Sequence, residues 1–371
     1  MSTCLYVPHA CFADKAAAFA TLHAGVATRG FVSNIDARVE TFDAGGLTLP
    51  VTVNGVTPGN AWVCSPLTTY SGYALEETRR VAPRLLAAPL GGVIGVADRW
   101  LRRAKLDSAV SLNNWLLSTN LYPATEGIDF AALAASCEAR WPRHALWFRS
   151  LNAVQHADWL QALMTAGFDL IPTRQVYLFR DMKQGAMKHQ NLHRDLHLLR
   201  TTPLTPVFHD AFTDADFVRS EALYAQLYLD KYSRLNPSYT AAFLKAWHRA
   251  GLLEFAGFRD DSGELRAVVG MFGQGSLLSA PIVGYDTSWP ASAGLYRLLM
   301  AHVLKTTLER DAVLNLSAGA AHFKRLRGGE PAIEYSAVLS RHLPMATRRT
   351  LRGLQMLTTK LGVPIMRRFQ L

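Results

Sequence analysis

Residues 313–329 read Val313-Leu-Asn-Leu-Ser-Ala-Gly-Ala-Ala-His-Phe-Lys-Arg-Leu-Arg-Gly-Gly329, and this stretch decides the fold. The run 313–317 is short and mostly apolar, which predicts a buried strand. Ser317, Ala318 and Gly319 follow, small residues that make a turn with free backbone N–H groups. A short helix is expected over 320–326, and Gly328 and Gly329 close it. A turn of this kind, leading into a helix start, stabilises anionic oxygens. Lys324, Arg325 and Arg327 then place three cations within four positions. Lys324 and Arg327 are three apart and share a helical face, while Arg325 points elsewhere. The pattern suits carrier phosphates or negative charge developing on a carbonyl oxygen. The plain alternative is a solvated basic turn with a glycine cap.

Working outward, 205–212 reads as a strand, 214–229 as a helix with acids in its first turn, and 239–250 as a second helix. The runs 253–259 and 265–273 read as strands joined by Asp260-Asp-Ser-Gly263, which suits a tight hairpin turn. A strand over 276–285, a helix over 294–308 and a strand over 333–340 complete the half around the opening stretch. The order is β-α-α-β-β-β-α-β-α-β.

That order, with the Phe323-Lys324 pair and the glycine after it, resembles the Fem-type branch of the GNAT acyltransferase superfamily. The resemblance is carried by residues 205–345. It implies a mixed α/β fold of two tandem GNAT-like units, each a central mixed sheet flanked by helices, with the site in the cleft beside or between them. The expected division is 1–200 for a degenerate N-terminal unit, 201–345 for the catalytic unit and 346–371 for a basic amphipathic helix. Acyl transfer to an amine is the implied activity. No tightly bound cofactor is expected, with acyl-CoA or an acyl carrier protein as co-substrate. The chain departs from the superfamily at 285–296, where the Arg/Gln-x-x-Gly-x-Gly/Ala loop that wraps a CoA pyrophosphate is missing. The donors left open are an acyl-CoA, an acyl carrier protein or, as in Fem-type ligases, an aminoacyl-tRNA. A GNAT-like pair that only binds a peptide or nucleic acid is the reading from another class.

Lys324 is the expected oxyanion stabiliser, with Asn315, Ser317, Gly319, Phe323, Arg325 and Arg327 holding the donor. Asp286, at the end of the strand 276–285, is the expected base for the attacking amine, or else a turn cap. Tyr285 is the expected acid for the leaving group. The loop Tyr228-Leu-Asp-Lys-Tyr-Ser-Arg-Leu-Asn-Pro-Ser-Tyr-Thr240 offers Tyr232, Asn236 and Tyr239 to an acceptor. Tyr70 and Arg149, in polar segments at the ends of apolar strands, join them from the first half.

In that half, strands are expected over 47–53, 60–63, 109–112, 145–151 and 175–179, and helices over 129–140 and 157–165. A polar connecting helix is expected over 182–199. The uncharged run Leu85-Leu-Ala-Ala-Pro-Leu-Gly-Gly-Val-Ile-Gly-Val-Ala97 is too short to span a membrane. It reads as a buried helix pair or, less simply, an interfacial segment.

Composition sets the outer limits. The chain has 371 residues, 49% hydrophobic and 18% charged, which excludes disorder as its main state. Its net charge of +10 is uneven, because Arg341, Arg348, Arg349, Arg352, Lys360, Arg367 and Arg368 follow residue 340 with no acid. That tail can pack on the fold or meet tRNA phosphates, an acidic carrier protein or an anionic membrane. The four cysteines, Cys4 among them, form no CxxC, and no apolar leader follows the N-terminus, so a cytoplasmic setting is expected. No metal is expected. His189, His193 and His197 share a helical face, but Gln190 stands where a zinc hydrolase would carry Glu. The chain lacks GxSxG, GxGxxG and GxxxxGK[ST] motifs, which leaves no sign of a serine hydrolase or a nucleotide loop.

Overall fold

The computed structural model of the chain describes residues 11–55, 57–81 and 84–369, so Cys4 and the reading of the N-terminus lie outside the described residues. In the first half the elements are α1 (Phe12–His23), α2 (Thr28–Phe31), β1 (Ala37–Ala44), β2 (Leu47–Asn54), α3 (Ala74–Val81), α4 (Arg84–Arg103), β3 (Ala109–Leu112), α5 (Phe130–Arg140), β4 (Ala145–Asn152), α6 (Ala157–Thr165) and β5 (Asp169–Phe179). Helix α7 (Gln190–Thr201) leads into β6 (Thr205–Phe208), α8 (Asp214–Tyr224), α9 (Ala241–Arg249), β7 (Glu254–Arg259), β8 (Leu265–Gln274), β9 (Leu277–Tyr285), α10 (Leu295–Glu309), β10 (Val313–Asn315), α11 (Ala321–Arg325) and β11 (Glu330–Leu339). Helices α12 (Met345–Leu357) and α13 (Val363–Phe369) follow. From β6 to β11 the order is the expected β-α-α-β-β-β-α-β-α-β.

All eleven strands belong to one sheet, in the order β1-β2-β3-β4-β11-β5-β10-β9-β8-β7-β6. Two neighbouring pairs are parallel, β3 with β4 and β9 with β10. The other neighbours are antiparallel. The order is symmetric about the β11–β5 pair. On one side β4, β3, β2 and β1 run outward, and on the other β10, β9, β8 and β7, with β6 added at that edge. Each half contributes its last strand to the other, since β11 lies against β4 and β5 lies against β10. The two halves of the chain therefore join edge to edge in a single sheet, with the exchanged strands at its centre.

Close approach and burial fix the helices against this sheet. A Cβ on Gly284 of β9 would lie 2.6 Å from the backbone N of Tyr224, so the glycine lets α8 lie directly on the strand. Trp115, Phe19, Phe243, Trp247 and Phe272 meet in the main core with the strand residues Val51, Val110 and Phe255. A second cluster joins α10, through Leu298, Leu299 and Val303, to Val269 and Leu314.

The structure departs from the sequence reading in four places. Strand β1, where the sequence reading marked no strand, mixes polar and apolar residues, most of them half-buried, because it is an edge strand; Val39 and Phe42 still pack on the main core, with Phe42 4.7 Å from Trp141. Residues 60–63 form turns and not a strand, since the Asn60 amide bonds the backbone of Asp36 (2.7 and 3.0 Å) and the Asn54 side chain (2.6 Å). The connecting helix begins only at Gln190, after a 3-10 turn over Ala186–Lys188. The uncharged run near residue 90 belongs to one helix, α4, and not to a buried pair; Val93 and Val96 are exposed.

Two core histidines set an acid limit on this packing. His23 stacks on Phe19 at 4.3 Å, and neither ring nitrogen has a hydrogen-bond partner among the described residues. Burial pulls its pKa down to about 4 and that of His156 down to about 3. The unfolded chain binds these protons near pH 6.5, so below that pH it takes up more protons than the native state. Stability is then lost as pH falls from about 6.5 toward 4, on the order of 3 kcal/mol per histidine. Urea unfolding at pH 7.5 and pH 5 should show a clearly lower midpoint at pH 5. A His23→Leu variant should narrow the gap, and equal midpoints in the wild type would refute this assignment.

Candidate functional site

The opening stretch folds as β10, a turn and α11. Ser317, Gly319 and Ala320 have φ of 59°, 77° and 48°, which rolls the backbone over in the left-handed region. Lys324 pins this turn from inside. It is 3% exposed, and its Nζ donates to the carbonyls of Leu316 (2.6 Å), Ser317 (3.2 Å) and Ala318 (2.8 Å). With those carbonyls turned inward, the N–H groups of Ala318, Gly319, Ala320 and Ala321 meet no acceptor among the described residues, while Ser317 N–H bonds the Asn315 side chain at 2.9 Å. The turn is partly to fully exposed. It forms an open array of donors where β10 ends and β9 runs on alone.

Burial, and then the nearby Arg174 charge, pull the Lys324 amine down to about 7. The three carbonyl dipoles favour its charged form. The ammonium is thus occupied by the turn, and the donors left unused there belong to the backbone.

A second polar group lies across β5. The guanidinium groups of Arg149 and Arg174 stand over the Trp62 ring at 5.0 and 4.7 Å. Arg174 is paired with Glu334 by two bonds, of 2.8 and 3.1 Å, and also donates to the carbonyl of Ser118. Arg149 bonds the Val63 carbonyl at 2.7 Å and the Asn114 side chain at 3.0 Å, and its Nη2 has no partner among the described residues. Burial lowers its pKa to about 10, with Glu334 opposing and Arg174 adding to the fall. One carboxylate, Glu334, thus pairs with the half-buried Arg174 and offsets the charge of the buried Arg149. Between the two polar groups, Gln155 accepts at 3.0 Å from Asn152, which lies opposite Glu334 in the sheet, and from Asn315, and Gln175, next to Arg174 in β5, donates to Tyr177 at 2.9 Å. The Lys324 ammonium lies 5.6 Å over the Tyr177 ring.

The remaining expected residues fall in several places. Asp286 is 5% exposed; it accepts from Arg219 (2.8 Å), Arg266 (2.9 Å) and both N and Oγ of Ser288 (3.0 and 2.5 Å). Burial pushes its carboxyl up, yet the Ser288 bonds, Arg266 and Arg219 outweigh it and hold the pKa below the ordinary value. Its geometry is the turn cap that was the alternative to a base. Tyr285 takes a 3.5 Å contact from Lys231. Arg327 is buried, pairs with Asp195 and lies 3.4 Å over the Phe323 ring, so it ties α11 to α7, while Arg325 is exposed. Asn236 accepts from the Trp62 indole at 2.9 Å, and Tyr239 donates to the Leu116 carbonyl at 2.8 Å. Both line the group around Trp62 and Arg149. Tyr70 contacts the Ile171 carbonyl at 3.4 Å, and Tyr232 lies 6.0 Å from Tyr228 at the outer edge.

Trp62, Glu334, Asn114 and Gln155 were not singled out from the sequence. Trp62, Glu334 and Asn114 lie far along the chain from their partners, as Gln155 does from Asn315, so no local motif marks them. Among the described residues no three of His, Cys, Asp and Glu are grouped to hold a metal ion. Two surface hollows, one beside Lys245 and Arg249 and one beside Arg352 and Lys360, include no residue of either polar group.

No family model and no curated protein matches the sequence. Among solved structures, the chain is similar to the C-terminal domain of a putative lysylphosphatidylglycerol synthetase from Agrobacterium fabrum, at 14% identity over 63% of this chain and 78% of that one, with a TM-score of 0.45. It is similar to FemX at 10% identity over 57% and 78%, with a TM-score of 0.43. A tandem GNAT protein from the clavulanic acid biosynthesis pathway is similar at 12% identity over 62% and 75%, with a TM-score of 0.36. Likenesses at this level bear on no residue role and no substrate. The structure itself gives a mixed α/β fold, with the expected β-α-α-β-β-β-α-β-α-β order from β6 to β11 and the strands of both halves joined in one sheet.

Proposed function

We propose that this protein is an acyltransferase that moves an acyl group from a thioester donor, acyl-CoA or an acyl carrier protein, to an amine. The observation that supports this best is the turn 316–321, where three carbonyls are drawn onto Lys324 and the four successive N–H groups of 318–321 meet no acceptor among the described residues. The amine nitrogen attacks the thioester carbonyl carbon. Negative charge passes to the carbonyl oxygen, which these N–H groups and the exposed Arg325 stabilise. When the C–S bond breaks, the thiolate leaves and takes up the proton that the new amide nitrogen gives off. Asp286 and Glu334 are both held in ion pairs, so the acceptor amine enters unprotonated and proximity supplies much of the rate.

In this reading 201–345 is the donor unit, 1–200 offers the acceptor side through Arg149, Asn236 and Tyr239, and 346–371 is an appended basic segment. Lys324 is a positioning residue that shapes the turn. The test is to incubate the protein with pools of acyl-CoA, acyl carrier protein and aminoacyl-tRNA, and to look for new amides by mass spectrometry. New amides are expected from a thioester pool. Amides from aminoacyl-tRNA alone would overturn the choice of donor, and no amide from any pool would overturn the enzyme reading.

A further inference from the structure

Helix α4 carries Val93, Val96 and Trp100 at positions i, i+3 and i+7, which places them on one face. All three are exposed, at 44, 49 and 61%. The neighbouring position Leu101 is 2% exposed and shares a cluster with Leu351 and Leu354 of α12. One side of α4 is therefore packed on the protein and the apolar stripe is left bare. Arg99 and Arg103 flank Trp100, are exposed, and have no acidic partner among the described residues, whereas Arg102 is paired with Asp98.

The adjoining helix repeats this chemistry. Thr347 of α12 contacts the Ala104 carbonyl just past the end of α4, at 3.5 Å. Away from its buried Leu351 and Leu354, α12 shows Met345, Arg349, Arg352 and Met356 at i, i+4, i+7 and i+11, and all four are exposed. Leu361, Lys360, Arg367 and Arg368 continue the exposed surface. Two abutting helices thus expose apolar side chains interleaved with unpaired cations.

We infer that this surface docks the protein on an anionic lipid bilayer, with α4 lying in the interface. Trp100 and the valines would enter the headgroup boundary while the arginines meet lipid phosphates. The helix lies on the bilayer and does not cross it, for among the described residues no helix is long and apolar enough to span a membrane. Nucleic acid is the poorer partner, because a phosphate backbone rewards the cations but leaves the stripe of valines and Trp100 in water. A second copy is also poorer, because the exposed Arg99, Arg103, Arg349, Arg352, Lys360, Arg367 and Arg368 would face their own kind across a twofold contact. This inference does not depend on the acyl-transfer reading.

The test is cosedimentation of the full chain with phosphatidylcholine vesicles, with and without phosphatidylglycerol. Binding at least about tenfold stronger to the anionic vesicles is expected. Trp100→Glu combined with Val96→Glu should reduce it by about tenfold or more, and so should Arg349→Glu combined with Arg352→Glu. These positions are exposed, so the variants should melt like the wild type, and melting curves check this. Failure to pellet with either vesicle would overturn the inference, as would pelleting that the variants leave unchanged. A dimeric mass in solution that W100E abolishes would assign the stripe to a second copy, and tighter binding to a single-stranded RNA oligonucleotide than to anionic vesicles would assign the cations to nucleic acid. Either result overturns the lipid assignment.

Discussion

On the proposed acyl transfer, Lys324→Ala should lower turnover by about 100-fold or more, the size seen when an oxyanion donor is removed, although the Lys324 ammonium is itself taken up by three carbonyls. Without the ammonium, the carbonyls of Leu316 and Ala318 lose their donor and the left-handed turn loses what holds it in place. The expected cost in stability is about 2 kcal/mol. Lys324→Met separates the two effects. It keeps the buried stem and so recovers packing, but it cannot donate, and turnover should stay low while the unfolding midpoint returns toward wild type. Turnover near wild type in the Met variant would end the positioning role. The pH dependence has a definite sign. The native amine titrates near 7 and the unfolded one near 10.4, so between these values the unfolded chain holds more protons. Relative to K324M, the wild type should therefore gain stability as pH rises from 7 to 10 and lose it as pH falls toward 7.

Glu334→Gln should destabilise the protein by about 3–5 kcal/mol, the range for breaking a buried ion pair from one side. Glu334 forms both bonds to Arg174, and its charge also offsets that of Arg149. Its loss leaves the buried Arg149 and the half-buried Arg174 over Trp62 without their carboxylate. A double variant, E334Q with Arg174→Met, removes both partners and should recover much of the loss, because an unpaired buried charge costs more than an apolar replacement. Urea titrations with unchanged slopes measure this directly. A double variant as unstable as E334Q alone would show that the damage lies in packing and not in the stranded charge.

The order of elements from β6 onward was legible because each strand there is a compact apolar run set off by turn residues, and each helix shows its own period. The position of β11 was not, because its neighbours β4 and β5 lie far back in the chain and pairing leaves no local trace. The same holds for the site. The turn at 317–319 and Lys324 could be located by residue type and spacing. The direction of the Lys324 side chain could not, since it depends on carbonyls that three left-handed residues bring round. Asp286 was legible as a choice between base and cap, and two arginines from other elements, with Ser288, give it the geometry of the cap. Trp62 joins Arg149, Arg174 and Asn236 only once the chain is folded, and single-sequence reading reaches no further than the polar segments that supply them.

The strand exchange at the centre of the sheet governs how the chain is made. Strand β4 gains its inner neighbour only when β11 arrives, with Leu146 opposite Leu339. A nascent chain that has released only its first half therefore holds β4 with one edge open and β5 without either of its strand partners. Closure must wait until residue 339 has emerged, and contacts this distant in sequence form slowly. During synthesis the first half is a sheet with an unprotected edge, the kind of intermediate that aggregates or recruits a chaperone. A cut between the halves would yield two fragments that each lack a central strand, and the fragments should fold only when expressed together.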